Sequence, residues 1–435
     1  MQKRQWASGL LFLFSMLILI APLLFSPVES LRGPALYGKE EQSFSLKHFT
    51  WKKFFDNTFQ EETEEEVKQK VGFSNYWTRA YNELQFQLFR YSKTQNLVLG
   101  QQDYFYEKYY IEAELGINYV GEEIVAYKVA LLKQLQAQLL EQYDIHLLPV
   151  FTPGKGHVYP EYMPKYSFRW QQDTTNYERY IYHCNQLDVN YLDINQYFLE
   201  KRKESQYPLY SKYGVHWNSY GLWTAVDTLM RFMERSCELQ LADLVFLGDT
   251  ISSEHRDLDY DLEPPMNLLR PLPGEELCFP VCIFQSDSNS RKLRALTIAD
   301  SYYWGFFNVG ITNHLFTDEH QYWYYNRTYN RTVWSDVFTT NSLVPDSSRK
   351  ETILNQDVIL LMITDANLYN FGWDFIEQTL LLLNPDMAID PKIQIINEFL
   401  MNRDNYNLLI QQSLRNKQSF KTLLWQLADP TPSQK

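Results

Sequence analysis

The sequence is short of several things, and each shortage excludes a class of function. It holds four cysteines and eight histidines in 435 residues. Cys278 and Cys282 form a Cys-x3-Cys pair, but no second ligand pair sits near it, so no metal site is expected. The thiols, with Cys184 and Cys237, are left as disulfides or free cysteines. No basic stripe interrupts a net charge of −13, which argues against a nucleic-acid partner. No internal repeat and no cofactor motif is present. After the first thirty residues nothing reads as a membrane span, since the apolar run at 358–363 has only the length of a core strand.

What is present begins with Lys3 and Arg4, followed by an apolar run from Gly9 to Pro27. Those 19 residues, at about 1.5 Å each, just cross a hydrocarbon core of about 30 Å. The positive end stays in the cytoplasm, so the reading is a single-pass N-terminal anchor in the cell inner membrane with the body in the periplasm. A removed signal peptide, cut weakly at Val28-Glu29-Ser30, is the other reading of the same run. Residues 31–94 follow as a tether, solvated along the acidic run 61–66, and as a packing helix over 74–91.

From residue 95 the pattern alternates. Strands are expected over 96–99, 145–151 and 190–194, and helices over 122–143, 174–188 and 195–203. A hairpin is expected over 104–111 and a helix over 222–233. Strands alternating with helices imply βαβ units and a mainly parallel sheet. Residues 237–293 break the rhythm and read as an insertion that can form part of a substrate groove. The expected domain is therefore α/β over 95–390, with a C-terminal helical tail over 391–435 whose last ten residues are disordered. Aromatic residues make up 16% of the chain. They cluster at 302–307 and 322–325, where they suit both core packing and a carbohydrate platform.

The chemistry centres on Arg294-Ala-Leu-Thr-Ile-Ala-Asp300-Ser301. Residues 295–299 are a buried strand, and Ser301 stands at its C-terminal lip, where open α/β sheets bind ligands. A serine nucleophile needs a base. His216, in the polar loop Ser211-Lys-Tyr-Gly214-Val-His216-Trp217-Asn218, is the candidate, with Trp217 packing beside it. Asn218 or Ser219 would cap the helix that follows. An acid that orients the imidazole is the third requirement. Asp193, at the end of the 190–194 strand, is the candidate, and its other reading is the cap of the next helix. Asp365 and Asn367, after the last core strand, are candidates for stabilising an oxyanion.

In this order the motifs resemble the SGNH-hydrolase-like family of AlgX/AlgJ alginate O-acetyltransferases. His216-Trp217 is followed by a strand and Asp300-Ser301. Pro149-Val-Phe-Thr-Pro153-Gly-Lys155 and Tyr159-Pro160-Glu161 resemble the family's strand and lysine loop. Asn96-Leu-Val-Leu-Gly100 resembles its opening strand, and Asp357-Val-Ile-Leu-Leu-Met-Ile-Thr-Asp365 its last core strand. The family pattern is Asp-x-His-Trp, and here Gly214 stands where the aspartate belongs. The resemblance implies a three-layer α/β domain and serine-dependent O-acetyl transfer to an extracellular polysaccharide, or hydrolysis of its acetyl esters. It also implies an integral-membrane acyltransferase as acetyl donor. Gly214 supports the alternative of a non-catalytic subunit that binds polysaccharide or an assembly complex.

Overall fold

The structure, a computed structural model, describes residues 2–25, 31–38, 49–70, 72–254, 256–329 and 346–429. Val28-Glu29-Ser30 and the last six residues of the expected disordered tail lie outside them. The chain divides into two compact units, one of residues 1–97 with 261–273, the other of 98–260 with 274–435.

Within the first unit the helices are Gln2–Leu24, Trp51–Phe55, Thr58–Lys70 and Ser74–Phe89. Some side chains of the first helix are not described. Among the described residues no helix is long and apolar enough to cross a membrane. The acidic run at 61–66, expected to be solvated tether, is helical. Glutamate is a good helix former, and the Asp56 carboxylate accepts the Thr58 N–H at the start of this helix. Arg79 donates to the carbonyls of Leu268 and Ala35, both at 2.9 Å. The bond to Leu268, with that of Asn82 to the Met266 carbonyl at 3.0 Å, holds residues 261–273, read as part of an insertion, against the helix Ser74–Phe89.

The second unit holds the sheet that positions the site. Its strands, in chain order with the smaller pairs, are β1 (Leu97–Leu99), β2 (Phe105–Glu107), β3 (His146–Thr152), β4 (Leu192–Asp193), β5 (Asp243–Ser252), β6 (Leu277–Gln285), β7 (Ala295–Ala299), β8 (Gln321–Tyr324), β9 (Arg327–Tyr329) and β10 (Val358–Thr364). The central sheet has the order β4-β3-β10-β7-β8-β9. All its pairs are parallel except β8 with β9. Every residue of β10 and β7 is buried. Such continuous apolar runs are what a strand covered on both faces requires, so the layers are helix, sheet, helix.

The helix Glu122–Tyr143 has the bounds the spacing predicts. Residues 104–111 differ. They form β2 and then a helix, Lys108–Glu114, that buries Tyr109, Tyr110, Ile111 and Ala113. With Glu112 these are five consecutive buried positions, which cannot alternate as a hairpin requires. Elsewhere in 237–293, β5 and β6 form an antiparallel ribbon, bulged between Phe246 and Gly248, and Asp257–Tyr260 forms a 3-10 turn. All four cysteines are free thiols.

The same core sets a pH dependence. Glu112 is buried, and loss of water pushes its carboxyl up to about 7, against the opposing effects of the Tyr406 hydroxyl and of Lys108 and Arg403. Its folded-state pKa is therefore above the unfolded one. The stability it contributes is complete below about pH 4.5 and is lost as pH rises towards 7, by on the order of 3 kcal/mol. Wild type should melt at lower temperature at pH 8 than at pH 5. Glu112→Gln keeps an acceptor for Tyr406, so its melting temperature should fall less over that interval; an equal fall would show that Glu112 does not set the slope.

Candidate active site

Because β4, β3, β10 and β7 run parallel, their C-terminal ends share one edge. That edge gathers Asp193 at the end of β4, Gly154 and Lys155 after β3, Asp365 and Asn367 after β10, and Asp300 and Ser301 after β7. Register fixes the alignment: Thr364 lies opposite Thr152, and Met362 opposite Ala299.

Ser301 begins a short 3-10 turn, Ser301–Tyr303, capped by Asp300, whose carboxylate accepts the Tyr302 N–H at 3.1 Å. The other Asp300 oxygen accepts the Thr364 N–H at 3.0 Å, the Thr364 hydroxyl at 2.7 Å and the Asn367 amide at 2.8 Å. Asp300 thus points away from the serine and locks the turn to the end of β10. Asn367, expected to face an oxyanion, spends its amide on Asp300 and on the Thr364 hydroxyl. Asp365 is buried, and accepts from the N–H groups of Gly154 and Ala366. Burial pushes its carboxyl up to about 7, against the positive charge of His157 and the two N–H donors.

His216 is brought from 85 residues away to the serine: its Nε2 lies 3.0 Å from Ser301 Oγ. That is within the reach a general base needs for the proton it takes. His216 is 5% exposed. Its ring packs 4.9 Å from the Tyr302 ring and 6.3 Å from that of Trp304. Its loop is fastened by main-chain atoms. Tyr302 donates to the Val215 carbonyl at 2.8 Å. The Gly214 N–H donates to Ser211 Oγ, whose hydroxyl bonds the Asp259 carbonyl. Asn218 caps the following helix, Ser219–Cys237, by accepting the Gly221 N–H.

Asp193 lies elsewhere on the edge. Its carboxylate accepts the Gln196 N–H at 3.1 Å, capping the helix Ile194–Glu204, and the Tyr177 hydroxyl at 2.9 Å. Burial raises its pKa, opposed by these donors and by the charge of His157. It makes no hydrogen bond to His216, so the structure supports the capping reading. His157 in turn bonds Glu114 at 2.8 Å. Burial alone would lower its pKa, but Glu114, Asp365 and Asp193 hold it above the ordinary value. Asparagine caps about as well as aspartate. Asp193→Asn should therefore keep catalytic activity within about twofold of wild type. A loss of 10²-fold in a steady-state assay would restore Asp193 as the orienting acid.

A pocket of about 250 Å³, of which Ser301 and His216 are not part, is walled by Tyr324, Tyr325, Arg327, Tyr369, Trp373 and Arg403. Trp304 connects it to His216, its ring lying 5.4 Å from Tyr324. Arg403 donates to the Tyr369 hydroxyl at 2.7 Å and stands 3.8 Å over the Tyr109 ring. The pattern of the sequence did not reveal Arg403 or Thr364. Each reaches the site from an element whose own periodicity signals only packing. Lys155 carried a readable signal, a lysine in the loop that follows a buried strand.

A serine hydroxyl within hydrogen-bond reach of an imidazole, at the C-terminal edge of a parallel sheet, is an arrangement that suits acyl transfer. Residues 97–252 match the family model of the SGNH hydrolase-like domain of the acetyltransferase AlgX. Three solved structures are similar at low identity. They are the O-acetyltransferase domain of AlgJ from Pseudomonas putida (TM-score 0.41, 16% identity, 63% of this chain and 92% of that one), AlgX from Pseudomonas aeruginosa (0.40, 12%, 65% and 67%) and PatB1 from Bacillus cereus (0.37, 12%, 58% and 93%). No curated protein matches the chain. The match over residues 97–252 bears out, for that segment, the resemblance to the AlgX/AlgJ acetyltransferases. His216 and Asp193 fall inside the matched segment, and Ser301 beyond it.

Proposed function

We propose that this protein transfers O-acetyl groups to a polysaccharide, with Ser301 as nucleophile and His216 as base. The observation that carries the proposal is the 3.0 Å contact between His216 Nε2 and Ser301 Oγ. Ser301 Oγ attacks the acetyl carbonyl of the donor while His216 takes the hydroxyl proton. The donor's leaving group departs with that proton, leaving acetyl-Ser301. A sugar hydroxyl then gives its proton to His216 and attacks the acetyl carbon. The acetylated sugar leaves and Ser301 is regenerated. The pocket walled by Tyr324 and Trp373 is the acceptor subsite, because aromatic faces stack on sugar rings, and Arg403 supplies hydrogen-bond donors there.

The donor in this reading is an integral-membrane acyltransferase, and the protein is held beside it by its N-terminal helix. Lys3 and Arg4 set the orientation, and Leu11, Phe12, Leu13, Phe14 and Leu17 of that helix are exposed, as a lipid-facing surface would be. The body then lies in the periplasm. A C-terminal reporter active only in the cytoplasm should be silent, and a strong signal would refute this placement.

The catalytic reading is tested by incubating the full chain with an activated acetyl ester and mapping peptides by mass spectrometry. Acetyl at Ser301, discharged when polysaccharide is added, is the expected result. A wild-type protein that never carries acetyl at Ser301 overturns it.

A further inference from the structure

We propose that Lys155 is the positioning residue of the base: its ammonium fastens the loop that carries His216 to the edge of the sheet. The inference rests on the Ser301–His216 reading and extends it. Lys155 is fully buried. A buried ammonium is costly unless its donors are satisfied. Here Nζ donates to the carbonyl of Lys212 at 2.6 Å and to that of Gly214 at 2.9 Å. It also stands 5.4 Å from the ring centroids of both Tyr104 and Tyr106, close enough for cation–π attraction.

Each end of this connection is defined. Lys155 follows Gly154, whose N–H is held by the Asp365 carboxylate at 3.0 Å, so its main chain is tied to the end of β10. The carbonyls it holds lie four and two residues before His216. The side chain therefore bridges the sheet edge and the loop that carries His216. It does so through main-chain carbonyls, which only a donor can satisfy. Ser301 is set on the same edge by Asp300, and the two anchors together determine the distance between Nε2 and Oγ. Displacing a reacting group by about 1 Å costs about 10²-fold in rate. Lys155 does not touch the reacting atoms and acts only through the loop.

The test uses the full chain in detergent and a fluorophosphonate probe. Ser301 Oγ forms a bond to phosphorus, fluoride leaves, and His216 takes the proton. Wild type should be labelled at Ser301 and Ser301→Ala should not. Lys155→Met, similar in length but without donors, should label about 10²-fold more slowly. In acetyl transfer it should lower kcat and leave the KM for the acetyl donor near the wild-type value. Lys155→Arg, which keeps donors, should recover part of the rate. Labelling of Lys155→Met at the wild-type rate would overturn the inference while leaving the catalytic reading intact. Unlabelled wild type would overturn the catalytic reading and the inference with it. Loss of cooperative melting in both lysine variants would assign Lys155 to the fold as a whole and overturn its positioning role.

Discussion

Replacing His216 with asparagine is expected to lower acetyl transfer by about 10⁴–10⁶-fold, and Ser301→Ala by a similar factor. Members of a catalytic pair act as a unit. Without the imidazole the serine hydroxyl keeps its proton at neutral pH, and without the hydroxyl the imidazole has nothing to activate. The double variant should consequently be little worse than either single one, so the effects should not add. Both side chains lie at the site edge and neither supports the strands, so melting temperatures should stay close to wild type. Steady-state transfer rates with circular dichroism on the same samples make the check. If His216→Asn retained a tenth of the wild-type rate, His216 would not be the base.

Gly214→Asp should be the next most damaging change, although it recreates the Asp-x-His-Trp pattern of the AlgX/AlgJ family. A Cβ at Gly214 would stand 2.6 Å from the Leu258 carbonyl oxygen, 2.7 Å from Ser211 Oγ and 3.0 Å from the Asp259 carbonyl carbon. Two of those are main-chain atoms and cannot swing aside. Overpacking of this kind costs about 1–3 kcal/mol, and a carboxylate facing a carbonyl oxygen adds repulsion. The strain falls two residues before His216, on the carbonyl that Lys155 holds, so activity should fall by about 10²-fold or more. Gly214→Ala meets the same contacts without the charge and should lie between. Thermal melts with transfer assays on the two variants separate the terms. Wild-type activity in Gly214→Asp would mean that the turn Asp257–Tyr260 yields to a side chain.

The outcome at Gly214 bears on what was legible. The sequence shows that the aspartate is missing, but it does not show that the turn at 257–260 occupies its space, because those residues are more than forty positions away. The pairing of Ser301 with His216 was accessible for a physical reason: a serine after a buried strand and a histidine in a glycine-punctuated loop are both local signals. Asp193 had two local readings, base-orienting acid and helix cap. Sequence could not choose between them, because the choice depends on what stands within 3 Å of its carboxylate. Tyr177 and Gln196 made it.

Local pattern by itself determined the parallel strands β3, β7 and β10 and the helix Glu122–Tyr143. Their apolar residues recur at spacings of one, two or about 3.6, and burial of those faces leaves few alternatives. It also narrowed the candidate bases, since the chain holds only eight histidines. Tertiary structure alone decided the rest. It set the strand order that puts four strand ends on one edge, and it set the partners of Asp300. It joined residues 261–273 to the helix Ser74–Phe89, and it placed the Lys155 ammonium on two carbonyls some sixty residues along the chain. Those contacts are polar, single and non-local. A hydrogen bond between distant residues leaves no period in the sequence, whereas a buried apolar face must repeat along every element that forms it.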